Sequence, residues 1–134
     1  MDIIQEIRSD VKGAQVLADW IGEGVPVSEV WASHRAMACL SGNNGKECPH
    51  HKSPHWWELS KLPVADFIKQ QIELKSKMRL STPYDDKLKM CGACGCALSV
   101  KIWVPIKHIV AHTPTKQLDL MPSYCWQRRE ANIA

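Results

Sequence analysis

The segment Lys89-Met90-Cys91-Gly92-Ala93-Cys94-Gly95-Cys96 constrains this chain more than any other. A C-x-x-C-G turn has the form of a zinc knuckle. Its small residues let the backbone fold tightly, so that both thiolates reach one ion at about 2.3 Å while backbone N–H groups point at the sulfurs. One knuckle supplies two ligands, and a structural zinc site takes four. The chain has six cysteines in 134 residues, at positions 39, 48, 91, 94, 96 and 125. Cys39 and Cys48 are the natural second pair, because the turn-forming stretch Ser41-Gly42-Asn43-Asn44-Gly45-Lys46-Glu47 can bring them together. Three arrangements fit the thiols. One zinc can sit on Cys39, Cys48, Cys91 and Cys94, leaving Cys96 and Cys125 spare. All six can hold a two-metal thiolate cluster, or four of them an iron–sulfur cluster.

The setting decides whether metal or disulfide is expected. The opening residues Met1-Asp2-Ile3-Ile4-Gln5-Glu6 show neither a basic n-region nor an uninterrupted apolar h-region. A reducing compartment is therefore expected, and there cysteine clusters more often hold metal. The chain is 45% hydrophobic and 23% charged with a formal charge of +3, which fits a soluble globular protein and excludes disorder throughout. No apolar run approaches the roughly 18 residues of a membrane helix. With one Phe and six Trp, an aromatic core must come largely from tryptophan.

Catalytic readings find little support. Cys91-Gly92-Ala93-Cys94 resembles the Cys-Gly-Pro-Cys site of thioredoxins, but a redox C-x-x-C opens a helix whose N-terminus lowers the thiol pKa. Here the alternation Leu98, Val100, Ile102, Val104 predicts a strand instead. The tract Cys48-Pro49-His50-His51-Lys52-Ser53-Pro54-His55 is rich in ligands, and one of its histidines can replace a cysteine. Its prolines keep it out of a regular helix, so His51 and His55 do not share a helix face. His34, His108 and His112 sit in apolar periodic segments and read as core-edge or surface residues. No metalloprotease, deaminase, phosphate-loop or nucleophile-elbow pattern occurs, so no enzymatic activity is expected.

Periodicity predicts a mostly helical α+β chain: a small metal-stabilised domain with a zinc knuckle and a short β element. A first amphipathic helix carries Ile4, Ile7, Val11, Ala14, Ala18 and Ile21 and stops at Gly22 and Gly24. It reads as a possible docking arm over residues 1–24, followed by a cysteine-rich metal-binding domain over 25–134. Ser28 caps a second helix reaching about Cys39. A polar loop runs from Ser41 to Pro54 and leads to Trp56-Trp57. A third helix begins near Pro63 and passes Phe67, Ile68 and Ile72 to Met78, with Ser81-Thr82-Pro83 ending it. Asp85-Asp86 reads as a turn or helix start. After the knuckle and the strand at 97–104, Pro105 opens a short helix through Ile109 and Val110. A loop with Pro114 and Pro122 then leads to Cys125-Trp126 and a polar tail. A metal joining Cys39 to the knuckle would tie together elements far apart in the chain, replacing core that a small domain must otherwise bury.

Several pieces together resemble small uncharacterised cysteine-rich proteins of tailed phages and prophages. These are Ala18-Asp19-Trp20-Ile21-Gly22-Glu23-Gly24-Val25-Pro26-Val27, Ala32-Ser33-His34-Arg35-Ala36-Met37-Ala38-Cys39, Cys48-Pro49, Thr82 to Leu88, Cys91 to Cys96, Leu98 to Pro105 and Cys125-Trp126. The family commonly reads W-[LI]-G-x-G-x-P-V, R-A-x-x-C, C-P, C-x-x-C-x-C and a late C-W. The departure is the first pair, usually C-x-x-C, where eight residues separate Cys39 from Cys48 here. The resemblance implies a metal-binding structural or assembly protein of the virion, in capsid, tail or baseplate, found in the particle or the host cytoplasm. Its partners would be other virion proteins or further copies of itself, met through the N-terminal helix and tryptophans. A nucleic-acid or host-regulator-binding module is the second expectation. It is less favoured, because Lys61, Lys69, Lys75, Lys77, Arg79, Lys87 and Lys89 are offset by Asp66, Glu73, Asp85 and Asp86. Zinc is the expected ion, with an iron–sulfur cluster as the alternative.

Overall fold

The computed structural model describes residues 14–53, 61–91, 97–113 and 115–133. It is mostly helical with one two-stranded sheet. In chain order the elements are α1 (Ala14–Glu23), α2 (Glu29–Ser41), β1 (His51–Lys52), α3 (Lys61–Ser76), a 3-10 turn (Asp85–Lys87) and β2 (Met90–Cys91). These are followed by α4 (Leu98–Lys101), α5 (Ile106–His112), α6 (Thr115–Asp119) and α7 (Trp126–Ile133).

Local signals place the first elements. Gly22 continues α1, and the stop falls at Gly24, whose φ of +72° is costly for residues with a Cβ. Its N–H donates to the Trp20 carbonyl at 2.7 Å. A Cβ there would lie 2.8 Å from Lys75 Cδ, so the turn is also pressed against α3. Lys75 Nζ donates to the Ile21 carbonyl at 2.7 Å, serving an orphan acceptor at the end of α1. Ser28 caps α2 as expected, accepting from the Trp31 N–H at 3.2 Å. The third helix begins at Lys61, before Pro63, and ends at Ser76 rather than at Ser81-Thr82-Pro83. Lys77 turns to a φ of +58°, its N–H still bonded to the Glu73 carbonyl, while the Glu73 carboxylate accepts from the Leu80 N–H. Glu73 thus closes the helix with its backbone and redirects the chain with its side chain. Asp85 opens the 3-10 turn and accepts from both the Thr82 N–H and hydroxyl.

The segment expected as a strand over 97–104 is helical at Leu98–Lys101 and coils onward to Val104. The alternation misleads because both sides are buried: Lys101 and Trp103 are as inaccessible as Leu98, Val100, Ile102 and Val104. A segment surrounded by protein has no polar face for a two-residue period to report. Its backbone is satisfied locally, with the Ile102 N–H on the Leu98 carbonyl and the Val104 N–H on the Lys101 carbonyl. Arg35 of α2 completes the set. One guanidinium nitrogen donates to the carbonyls of Ile102 and Val104 at 2.9 and 2.6 Å. The other two N–H positions meet the Glu130 carboxylate of α7 at 2.9 and 2.6 Å. The same group lies 4.4 Å from the Trp126 ring centroid.

The core is built on tryptophan. Trp20 and Trp103 are fully buried and Trp126 nearly so, whereas the single Phe, Phe67, is partly exposed. Ile68, Ile72, Leu80, Leu98 and Ile109 fill the space between them. The expected polar tail after Cys125 is α7, which buries Trp126 and Gln127 and packs on α2, α5 and α6. Proline did not keep the preceding segment irregular either, since α6 lies within it. The described part of the first helix packs on α3 and α5 through buried Trp20 and Ile21, and residues 1–13 lie outside the described residues. Among the described residues no helix is long and apolar enough to cross a membrane.

Candidate metal centre

The loop after α2 folds back through an Asn-Gly turn. Asn44 and Gly45 have φ values of +51° and +82°, and Asn43 and Lys46 exchange backbone hydrogen bonds at 3.1 and 2.9 Å. These are the φ signs of a type I′ hairpin, which Asn-Gly favours because both positions need positive φ. The hairpin returns Cys48 to the end of α2, where its N–H donates to the Cys39 carbonyl at 2.8 Å. Turn chemistry therefore joins Cys39 and Cys48 across the eight residues between them.

The chain then enters β1, antiparallel to β2, with His51 opposite Cys91. His51 locks the pairing. Its Nε2 accepts from the Lys89 N–H at 2.8 Å, and its Nδ1 meets the Glu47 carboxylate. A nitrogen that accepts a backbone N–H carries no proton, so Nδ1 is the protonated position and donates to Glu47. Both ring nitrogens are spent, which removes His51 from the ligand set in this conformation. At the other end of the chain, the Cys125 N–H donates to the Pro122 carbonyl, and α7 starts immediately after.

Cys39, Cys48, Cys91 and Cys125 line one cavity, together with His50, Met121 and Gln127. Its volume is about 20 Å³, room for one water-sized occupant. Cys91 is buried and the other three are half-buried. The Cys125 thiol donates to the Met121 Sδ at 3.7 Å. Tyr124 stands over the same sulfurs. Burial, its hydrogen bond with Cys48 and the electrostatic field of Cys48, Cys125 and Cys39 push its phenol up to about 12.

Four of the six cysteines singled out in the sequence thus come to one place. Cys94 and Cys96, with the rest of the knuckle after Cys91, lie outside the described residues, as do His55, Trp56 and Trp57. Among the described residues, no three His, Cys, Asp or Glu side chains converge closely enough to hold a metal ion. The objection to a redox pair also changes, since a helix rather than a strand follows the segment. That helix spans only Leu98–Lys101.

Two residues of the site escaped sequence reasoning. Met121 is buried against Cys125, and Tyr124 faces Cys48, both within a segment read only as loop. The usable signal was proximity to Cys125, a thiol that is spare in the single-zinc arrangement and available as a ligand in the others. Of the remaining histidines, His34 is exposed, His108 is largely buried with its Nε2 facing Glu23, and His112 meets Asp19 at the surface. Of the described tryptophans only Trp31 is substantially exposed. No family model, curated protein or solved structure matches the chain.

Proposed function

We propose that this chain is a cysteine-liganded metal protein serving as a structural or assembly component of a tailed-phage particle. Zinc is the ion, and its ligands are drawn from Cys39, Cys48, Cys91, Cys94, Cys96 and Cys125. What supports the metal reading is that Cys39, Cys48, Cys91 and Cys125 all line one small cavity of about 20 Å³, around which their side chains would have to draw together to share an ion. Thiols brought together around so small a space suit a soft or borderline cation. Such an ion would link α2, the sheet and the start of α7. The phage assignment rests on the sequence resemblance, and an exposed Trp31 with Val30 and Met37 on α2 offers apolar contacts for a neighbour.

Anaerobic purification with elemental analysis tests the metal reading. A colourless protein with stoichiometric zinc is expected. A brown protein containing iron and sulfide would replace zinc with a cluster, and a metal-free protein with six titratable thiols would remove the reading. For the biological role, the chain is expected in purified particles, and its absence from them would contradict a virion function.

A further inference from the structure

We propose that the cleft between α2 and α7 seats an acidic segment of a neighbouring protein, with an aromatic ring of that segment against Trp31 and its carboxylate on Arg129. The proposal deepens the assembly reading by naming the partner's chemistry, and it rests on that reading only for the partner being a virion protein. Trp31, His34 and Ala38 of α2 and Trp126, Arg129 and Glu130 of α7 line a cavity of about 200 Å³. A cavity of about 150 Å³ is enough to take up benzene, so this one has room for a single aromatic ring. Trp31 is 50% exposed, yet its indole N–H donates to the Glu130 carboxylate at 3.1 Å. The ring is therefore already held in place, and a partner that stacks on it has little left to order.

Charge decides the rest. The Arg35 guanidinium also reaches the cavity, but it and Glu130 neutralise each other through hydrogen bonds at 2.9 and 2.6 Å. Arg128 is engaged elsewhere, donating to the Met121 carbonyl. Arg129 is exposed and its side chain has no partner among the described residues, so the cleft presents one uncompensated cation. A carboxylate answers that cation with a bidentate pair, whereas a basic partner meets repulsion. Apolar surface continues past the cleft. Val30, His34 and Met37 share one face of α2 by their spacing, and Val30 and Met37 are 69% and 46% exposed. That face is wider than one free aromatic acid covers, which favours a protein segment. Nucleic acid also stacks on tryptophan, but it calls for a basic stripe where this cleft has one unpaired arginine.

Selection of a displayed random-peptide library against the full chain tests this. Enriched sequences should share an aromatic residue with Asp or Glu beside it. A synthetic peptide of the enriched sequence should bind Arg129→Glu about tenfold or more weaker than wild type. Trp31→Ala should weaken it about as much, and added salt should weaken binding to the wild type. Should either variant fail to fold, the peptide supplies the same comparison. Its acidic residue is replaced by the amide, or its aromatic by alanine, and each change should cost about the same factor. No enrichment, enrichment of basic or acid-free sequences, or equal binding across these comparisons overturns the proposal. So does a single-stranded oligonucleotide that binds where no peptide does. None of these results touches the assembly reading, which stands or falls on the presence of the chain in purified particles.

Discussion

The two sides of the molecule are held by different means. Around Arg35, fully buried Trp103 and nearly buried Trp126 pack with aliphatic side chains, and the guanidinium satisfies two carbonyls and a carboxylate at once. Around the cysteines there is a sheet of two residues per strand, a hairpin and a cavity lined by sulfur. The first side draws its support from its own residues, through apolar burial and the paired Arg35 and Glu130, although the buried indole N–H groups of Trp103 and Trp126 meet no acceptor among the described residues. The second has too few backbone hydrogen bonds to stand as an independent sheet. An ion there would replace missing core with ligand bonds and would make its stability conditional on metal.

Arg35→Ala is expected to break the comparison most severely. It strands the Glu130 carboxylate and the carbonyls of Ile102 and Val104 in a buried setting, at about 3–5 kcal/mol. A urea midpoint that scarcely moves would show that the ion pair is dispensable. Chelation addresses the other side. Removing an ion present at a thousand times its dissociation constant costs about 4 kcal/mol. Hydrogen exchange should then quicken at the amides of Cys48 and His51, while those of Ile102 and Val104 stay protected. Uniform loss of protection would mean the two sides unfold as one.

Smaller changes sharpen the contrast. Ser28→Ala removes the cap of α2, the helix that carries both Arg35 and Cys39, and should lower stability by about 1 kcal/mol in metal-loaded and metal-free protein alike. Thermal unfolding of both forms checks this. The weakest effect is expected from acid. The Lys107 ammonium bonded to Glu23, aided by His108 and opposed by slight burial, holds the Glu23 carboxyl below its ordinary range. Its stabilisation is present above the unfolded pKa and disappears as pH falls through the lower folded value. Glu23→Gln should therefore lose a small stability increment near neutrality, with the difference from wild type vanishing in strong acid. Because the pair is surface-exposed, high salt should shrink the increment.

Sequence patterns revealed the parts whose causes are local. Ser28 announces α2, Pro105 announces α5, and the turn-rich stretch around Asn44-Gly45 indicates how Cys39 meets Cys48. The failures have a common origin in burial from all sides. Lys101 looks solvent-facing in an alternating run but is buried, and Arg128, Arg129 and Glu130 make α7 look like a tail although Trp126 and Gln127 anchor it. Arg35 stands in the sequence only as the start of R-A-x-x-C, and its structural role is hidden there because its partners, Ile102, Val104 and Glu130, lie in distant segments. At the cysteine cavity, the sequence singled out Cys39, Cys48, Cys91 and Cys125, while Met121 and Tyr124 carry no spacing signature.

Cobalt substitution tests the central claim most directly. Anaerobic addition of Co(II) to the metal-free chain should produce the intense visible and near-ultraviolet bands of a tetrahedral thiolate site, saturating at stoichiometric metal and vanishing when zinc is added. A chain that stays colourless, with the weak spectrum of hydrated Co(II), would contradict it.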